Sequence, residues 1–380
     1  MRDVARRDDP PYSSTVLADY TTLGLGGPAR EFVSADSEPE LIQAVRSADK
    51  AGVPVLLIGG GSNLVISDEG FPGTAVHVNT HGLTYVSVGD GVVDLKVAAG
   101  ADWDSVVASS VAQGLAGLEP LSGIPGRAGA TPIQNVGAYG REVAEVITQV
   151  RVYDRQEDQV KVIPNEFCQF AYRTSLFKSG RPESLVSPGN GASPRATGQP
   201  RYLVLDVTFR LPRQPLSAPV EYAELAAELG VEMGEQAAVG EVRAAVIEIR
   251  SRKGMVLNPG DPDTRSAGSF FTNPVITAGA FADVERAAAA RGLTAVPHYP
   301  AGDGMIKVPA AWLIERSGFT KGYGAPASAR VSSKHTLALV NAGKATTSDL
   351  LALAREIVTG VQAAYGVTLT PEPILVGVTL

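Results

Sequence analysis

The chain is poor in the residues that build covalent cross-links and metal centres. Its 380 residues include one cysteine, Cys168, so no internal disulfide can form and no thiolate cluster can hold a metal. Histidine is scarce too, with four copies; His77 and His81 are spaced to share a strand face, but no third ligand accompanies them. No run approaches the roughly 18 apolar residues of a membrane span. Met1–Pro11 mixes arginines with aspartates in place of the apolar core of a signal peptide. Basic residues are outnumbered, 33 against 40 acidic, for a net charge of −7, and the strongly basic face of a nucleic-acid-binding protein is missing. These absences set the expectation of a cytoplasmic protein with no metal, no nucleic-acid partner and no membrane insertion.

What is present is a large apolar reserve. At 44% hydrophobic content the chain can bury a sizeable core, and 380 residues correspond to two or three domains. Ser37-Glu38-Pro39-Glu40 has the form of a capping box, opening a helix that carries Leu41, Ile42, Val45 and Ala48 at helical spacing and stops at Gly52. Short extended runs follow at Val55–Ile58, Leu64–Ile66, Ala75–Val78, Tyr85–Val88 and Val92–Ala98, then a helix over Asp102–Gln113. Further strands are expected at Val150–Asp154, Gln159–Ile163 and Tyr202–Leu211. Between them, Ser179–Pro200 is rich in Ser, Pro, Gly and Arg and reads as a mobile excursion. The proline-dense stretch Leu211–Pro219 marks a domain boundary. Beyond it come helices near Glu241–Arg252, Phe281–Arg291 and Ala310–Ser317, a strand Thr336–Asn341, an amphipathic helix Ser348–Tyr365 and an extended segment Val367–Val378. Strands and helices alternate irregularly, the pattern of an α+β fold.

Two glycine-rich segments carry the functional signal. Gly114–Gly140 holds seven glycines, three prolines and two charged residues, too broken for a helix and too apolar for a solvated linker. Ordered loops longer than about 12 to 15 residues are usually functional, and glycine lets backbone amides approach a ligand closely. The segment therefore reads as a binding wall, with glycine turns in an ordinary β domain as the alternative. Gly59-Gly60-Gly61-Ser62-Asn63 is a candidate nest of backbone amides for anionic oxygens. It is not a Rossmann fingerprint, because Leu64 stands where the third glycine would fall, and no Gly-Lys-Ser/Thr follows to make a P-loop. A tight hairpin would have the same sequence.

The motifs TLGLGGPA, IGGGSNLVISDEGFPGT, GLEPLSGIPGRAGATPIQNVGAYG, FAYRTSLFK, SAGSFFTNP, PAAWLIERSGFTKG, SSKHTLALVN and PEPILVG occur in this order from Thr22 to Gly377. On them the sequence resembles the UDP-N-acetylenolpyruvoylglucosamine reductases, the MurB family of peptidoglycan precursor synthesis, in its longer branch with a tyrosine loop. The resemblance implies an α+β fold with an FAD-binding domain of the vanillyl-alcohol oxidase (PCMH) type over residues 1–213, in two subdomains near 15–90 and 91–213. An α+β substrate-binding domain would follow over 214–365, and a C-terminal strand, 366–380, would return to the active site. The implied activity is that of an FAD-dependent UDP-N-acetylmuramate dehydrogenase. Such an enzyme uses NADPH and non-covalent FAD to reduce UDP-N-acetylglucosamine enolpyruvate, here as an expected monomer.

The resemblance also distributes roles. Ile58, Gly59, Gly60, Gly61, Ser62, Asn63 and Leu64 would hold the FAD diphosphate, while Pro125, Gly126, Gly129, Ala130, Thr131, Gln134, Asn135, Gly137, Ala138 and Tyr139 would lie along the isoalloxazine and ribityl chain. The amides of Gln134 and Asn135 suit a flavin's carbonyl and ring nitrogens, although a buried amide serving nearby backbone would look alike. Arg173 sits among apolar and aromatic neighbours and needs an anion, either a substrate carboxylate or an internal Asp or Glu. Ser269 is implied as the proton donor, although serines in such turns ordinarily bond local backbone. Glu372, fixed between Pro371 and Pro373, is implied as a catalytic carboxyl; an edge strand protected by prolines is the other account. Tyr172, Tyr222, Lys253 and Asn273 are implied substrate contacts, with Lys253, Arg250 and Arg252 either at a diphosphate or at a helix dipole. One departure stands out: the family commonly carries arginine two residues after the glutamate, and this chain has Ile374. Rival readings are a superfamily oxidase of small alcohols or sugars and a nucleotide-sugar-binding module without chemistry; the presence of Arg173, Ser269 and Glu372 speaks against the latter.

The purified protein is accordingly expected to be yellow and to release FAD on denaturation, read by absorbance and fluorescence. A colourless protein that takes up no added FAD would remove the cofactor reading.

Overall fold

The computed structural model describes residues 13–179 and 200–380; the expected excursion between Ser179 and Pro200 lies, apart from its ends, outside the described residues. The chain forms two compact units. The first contains residues 13–15, Ala29–Gly60 and Pro72–Ser251, and the second contains Val16–Pro28, Gly61–Phe71 and Arg252–Leu380.

In the first unit, β1 (Ala29–Ala35), β2 (Val55–Ile58) and β4 (Phe71–Val78) form a sheet ordered β1-β4-β2, with β2 and β4 parallel. Helix α1 (Glu38–Ala51) starts at the capping box, Ser37 and Glu40 each satisfying the other's backbone amide, and ends at Gly52 in a left-handed conformation. A second sheet is antiparallel throughout, ordered β10-β9-β11-β6-β5 from β5 (Leu83–Gly89), β6 (Val92–Ala98), β9 (Ile147–Asp154), β10 (Gln159–Pro164) and β11 (Tyr202–Pro212). Helix α2 (Trp103–Ala112), capped by Asp102, buries Trp103 against Phe209. One continuous core runs from Ala35, Leu41 and Val76 through Leu95 and Trp103 to Phe209 and Leu211, so the two subdomains expected at 15–90 and 91–213 share a single apolar interior. The hairpin of β7 (Gly137–Ala138) and β8 (Arg141–Glu142) turns at Tyr139 and Gly140, both in the left-handed region. A short helix α3 (Leu176–Ser179) follows.

Helices α4 (Ala223–Leu229) and α5 (Val239–Arg252) belong to this unit as well, packing Val220, Leu225, Val242, Val246 and Ile249 together with Tyr139 against them. The two compact units divide after Ser251, with the proline-rich stretch near 213 inside the first of them. That stretch is tied back by backbone hydrogen bonds, Ala116 N–H to Pro212 at 3.0 Å and Gln214 N–H to Gly114 at 3.0 Å. Proline density marked a crossing of the surface, not an end of packing.

In the second unit β3 (Leu64–Ile66) pairs in parallel with β17 (Ile374–Val376). Strands β12 (Val275–Thr277), β13 (Tyr299–Pro300) and β14 (Met305–Lys307) make a small antiparallel sheet, and β15 (Ala329–Val331) pairs with β16 (Leu339–Asn341). Helices α6 (Ala278–Ala290), α7 (Ala310–Arg316) and α8 (Thr347–Tyr365) bury Phe281, Leu313, Leu350, Ile357 and Val361 with Phe270, Leu25 and Val65. The Asp68 carboxylate accepts from the Thr347 and Ser348 amides at 2.7 and 3.0 Å, anchoring the 61–71 excursion to the first turn of α8. Of the extended segment expected at Val367–Val378, Ile374–Val376 forms a strand and Pro371 adds an isolated bridge to Phe271, since Pro371 and Pro373 bring no N–H to a ladder.

Asp154, at the end of β9, is fully buried beneath Lys161 at 2.8 Å and Arg201 at 2.8 Å, and also accepts from the Gln156 amide at 3.1 Å. Burial would raise its pKa, but the hydrogen bonds from Arg201, Lys161 and Gln156 outweigh it and hold the carboxyl well below the usual range. With the folded pKa depressed, the stabilisation is complete above the unfolded value near 3.9 and is lost as pH falls below it. Asp154→Asn is expected to cost about 2 kcal/mol at neutral pH, the size of charge-assisted hydrogen bonds lost. Denaturant titrations across pH should show the gap between wild type and variant closing in acid; a constant gap would deny the carboxylate its role.

Candidate functional site

The turn Gly59–Asn63 is not a hairpin, because the strands on either side of it belong to different sheets: β2 pairs with β4 and β3 with β17. Its conformation depends on close backbone approach. A Cβ on Gly60 would come within 2.7 Å of the Gly126 Cα. Gly61, at φ +60°, would bring one within 1.9 Å of the Tyr20 carbonyl oxygen, so any side chain there breaks the turn itself. No acceptor among the described residues takes the backbone N–H of Gly59, Gly60 or Gly61, although Gly61 is buried. Unanswered amides in a turn without acidic side chains fit an anionic diphosphate. The Ile58 and Leu64 side chains are buried, leaving only their backbone for a ligand.

The glycine-rich wall is held from behind by α2. Trp103 donates its indole N–H to the Leu121 carbonyl at 3.1 Å and its amide to Gly126 at 3.1 Å. Asp104 accepts from the Gly123 amide at 2.6 Å and, bidentately, from Arg243 of α5 at 2.7 and 2.8 Å. Burial alone would raise the Asp104 pKa, but Arg243 and the Gly123 amide bring it below the usual range. Glu119 is 1% exposed, accepts from the Gly117 amide at 2.6 Å, and is pushed above the usual carboxylate range by burial. It lines a cavity of about 200 Å³ with Tyr139 and Arg141.

Along the wall, Pro125, Gly126, Gln134, Gly137 and Ala138 are half-buried and Ala130 is exposed. Gly129 packs tightly on Ala99, and the buried Thr131 hydroxyl donates to Ala128 at 2.8 Å. The Asn135 side chain is engaged within the protein. Its Nδ2 donates to Glu142 at 2.6 Å and to the Ala171 carbonyl at 3.3 Å, while its Oδ1 accepts from Ala144 at 3.1 Å. The side chain is therefore a brace within the protein. Gln134, its neighbour, makes no such commitment among the described residues.

That brace reaches the Arg173 turn. Ala171 and Thr174 exchange backbone hydrogen bonds at 3.1 Å, and Ser175 donates to the Ile133 carbonyl at 2.6 Å, so Tyr172 and Arg173 stand at the tip of a tight turn fastened to the wall on both flanks. Arg173 sits at φ +54°, and Asn135 and Tyr139 at φ +44° and +52°. Such left-handed non-glycine conformations are strained and cluster at functional sites. The Arg173 guanidinium lies 5.9 Å from the centre of the half-exposed Tyr172 ring. Tyr139 meets Tyr222 edge to face at 5.3 Å; Tyr222 is the residue preceding α4. Burial pushes the Tyr139 phenol up to about 12. Arg250 is buried beside it and held below its usual range by that burial, so it does not join Lys253 and the exposed Arg252 in an open basic cluster.

In the second unit, Ser269 and Glu372 are carried on neighbouring segments: the Glu372 amide donates to the Phe270 carbonyl at 2.9 Å, and Phe271 bridges Pro371. The Asn63 amide reaches the Glu372 carbonyl at 3.5 Å and the Asn63 carbonyl accepts from Ile374 at 2.9 Å, so the turn and the glutamate are fastened together. The half-buried Ser269 hydroxyl makes no hydrogen bond among the described residues, whereas Ser266 performs the local task of accepting from the Gly268 amide at 3.2 Å. Asn273 uses its oxygen on the Ala310 amide at 2.9 Å, at the start of α7, leaving its NH₂ to donate. Lys253 is half-buried directly after α5. Sequence reasoning missed Asp104, Glu119 and Arg243; nothing in their local pattern distinguishes them from solvated charges. No group of three His, Cys, Asp or Glu able to hold a metal, and no helix long and apolar enough to cross a membrane, occurs among the described residues.

Comparison with known proteins adds two family matches: an FAD binding domain over residues 29–162, and the UDP-N-acetylenolpyruvoylglucosamine reductase C-terminal domain over 261–376. The UDP-N-acetylenolpyruvoylglucosamine reductase of Thermobifida fusca is 54% identical over 366 residues, covering 96% of this chain and 97% of its own length. That of Streptomyces coelicolor is 52% identical over 367 residues, 96% of this chain and 90% of its own. Among solved structures, the MurB reductase of Thermus caldophilus superposes with a TM-score of 0.59 at 26% identity, covering 96% of this chain and 99% of that one. A relative more than half identical along nearly the whole length of both proteins, a turn of unanswered amides and a braced glycine-rich wall agree: the chain belongs to the MurB family of UDP-N-acetylenolpyruvoylglucosamine reductases, with an α+β fold built on an FAD-binding domain.

Proposed function

We propose that Arg173, Ser269 and Glu372 carry the chemistry by which this reductase converts UDP-N-acetylglucosamine enolpyruvate to UDP-N-acetylmuramate. The observation that supports it best is the pairing of the SAGSFF and PEP segments, which carries the uncommitted Ser269 hydroxyl and the Glu372 carboxyl on adjoining backbone. FAD held by Gly59–Asn63 and the wall would supply hydride chemistry, taking hydride from NADPH and giving it to the methylene carbon of the enolpyruvyl group. Charge then develops on the neighbouring carbon, and Ser269 delivers the proton that quenches it. Arg173 holds the enolpyruvyl carboxylate in the fork of its guanidinium, and Glu372, in its acid form, donates a hydrogen bond to the same group and so stabilises the enolate-like state. Strain at Arg173 is consistent with a residue held for that purpose before substrate arrives. Gly59–Asn63 hold the FAD diphosphate, and the wall from Pro125 to Tyr139 faces the rest of the cofactor, with Gln134 as its amide donor.

Tyr172, Tyr222, Asn273 and Lys253 complete the substrate site, Lys253 at the diphosphate of the nucleotide sugar. With Ile374 in place of the usual arginine, that diphosphate is met by a different set of cations in this chain. A monomeric state and a cytoplasmic location, where nucleotide sugar and NADPH are both in solution, belong to the same proposal.

Ser269→Ala should separate the two half-reactions. Reduction of the flavin by NADPH should proceed normally, while reoxidation by the enolpyruvyl substrate should slow about a hundredfold to ten-thousandfold, the usual cost of removing a general acid. Stopped-flow absorbance reads both, and near-normal reoxidation would leave Ser269 as a packing residue. Lys253→Ala is expected to raise the apparent KM for the nucleotide sugar with little change in flavin reduction by NADPH. Unchanged substrate kinetics would return Lys253 to a role at the end of α5.

A further inference from the structure

The glycine-rich wall contains two charged residues, Glu119 and Arg127. Glu119 is buried in its own turn. Arg127 is different: among the described residues its guanidinium has no carboxylate and no hydrogen-bond acceptor. Its stem crosses the amide turn. A Cβ on Gly59 would stand 3.3 Å from the Arg127 Cγ and 3.4 Å from its Cβ, and the preceding residue, Gly126, is the one whose Cα lies against Gly60. The Arg127 backbone forms an isolated antiparallel bridge with Asp102, yet that carboxylate is engaged at the start of α2 by the Ser105 amide at 3.0 Å and the Ser105 hydroxyl at 2.7 Å. The cation is felt across the turn on β4. His77, which pairs with Ile58 just before the turn, is held below the usual imidazole range first by burial and then by Arg127. A half-buried arginine thus lays its stem against a turn whose backbone amides have no acceptor, in a chain of net charge −7 where an anionic ligand must be met locally.

We propose that Arg127 is a cofactor-binding residue whose guanidinium engages the diphosphate of FAD over Gly59–Gly60. The proposal rests on the assignment of this turn to the FAD diphosphate. The amides offer partial charges of fixed direction, and the guanidinium adds a full charge and a planar pair of donors matched to phosphate oxygens. Gly59 carries no side chain because the arginine stem occupies that face.

Arg127→Met keeps an apolar stem over Gly59 and removes the charge. In flavin-stripped protein, the Kd for FAD from flavin-fluorescence titration should rise about tenfold or more, the size of a lost charge-assisted hydrogen bond. The Kd for ADP should rise in parallel, and the salt dependence of both should fall. Arg127→Lys should restore the salt dependence without the full affinity. Equal constants and equal salt dependence in Arg127→Met and wild type would overturn the proposal. Wild-type apoprotein that binds neither FAD nor ADP would instead overturn the assignment of the turn. A measurement on unmutated protein stands beside these: phenylglyoxal modification with peptide mass mapping should find Arg127 protected by FAD and by ADP, but not by UDP or riboflavin. Reactivity unchanged by FAD, or protection by UDP alone, would overturn the proposal and in the second case move the arginine to the nucleotide sugar.

Discussion

The contact on which the first unit's cofactor wall depends is backbone against backbone, Gly60 on Gly126. At that distance Gly60 tolerates no Cβ, and Gly126 holds φ +130°, a conformation that favours glycine, so the amide turn and the wall are fixed relative to each other by the absence of atoms, and packing this close is insensitive to side-chain rotamers. Everything behind the contact serves to keep the wall in place. Trp103 donates to Leu121 and Gly126, Asp104 accepts from Arg243 of α5 and from the Gly123 amide together, and the Gly129 amide donates to Ala99 at 2.8 Å. A cofactor bound along such a wall meets a surface ordered in advance, which lowers the entropy cost of binding.

Strain is the counterpart of that rigidity. Asn135, Tyr139 and Arg173 all hold left-handed backbone angles, and Asn135, just before the hairpin that contains Tyr139, links that hairpin to the Arg173 turn. Each costs on the order of 1 to 3 kcal/mol where nothing compensates. Here the compensation is visible: two side chains, Asn135 and Ser175, are buried with their hydrogen bonds satisfied across the gap between the wall and the FAYRTSLFK turn.

Much of this was legible in the sequence because the physical signals are local. The capping box at Ser37 sets the start of α1, β-branched runs mark β2, β3 and β6, and a five-residue glycine turn announces unanswered amides whether or not its partners are known. The ordered motifs identified the family on their own. What could not be read is what depends on contacts distant in sequence. Asp104 and Arg243, 139 positions apart, look like ordinary helix-surface charges until Arg243 of α5 is seen to clamp the α2 carboxylate that holds the Gly123 amide. Asn135 has the composition of a ligand donor and the geometry of a brace. The unit boundary at Ser251 escaped because the proline-rich stretch near 213 breaks secondary structure without breaking the core, and β1 escaped because its exposure does not alternate.

The discontinuity of the second unit has a temporal meaning. Asn63 and Glu372, joined through the turn and β17, lie 309 positions apart, and the parallel pairing of β3 with β17 joins the strands most distant in sequence among the described residues. A polypeptide made from its N-terminus can complete the first unit as soon as Ser251 has emerged. Residues 16–28 and 61–71 must wait through that interval with their future neighbours not yet synthesised. Loop-closure entropy makes their late pairing slow relative to the local contacts of the first unit. Ser62-Asn63 and the apolar Leu64-Val65-Ile66 are then among the last segments of a nascent molecule to be covered, and the glutamate of the PEP motif reaches its place in the final step of folding.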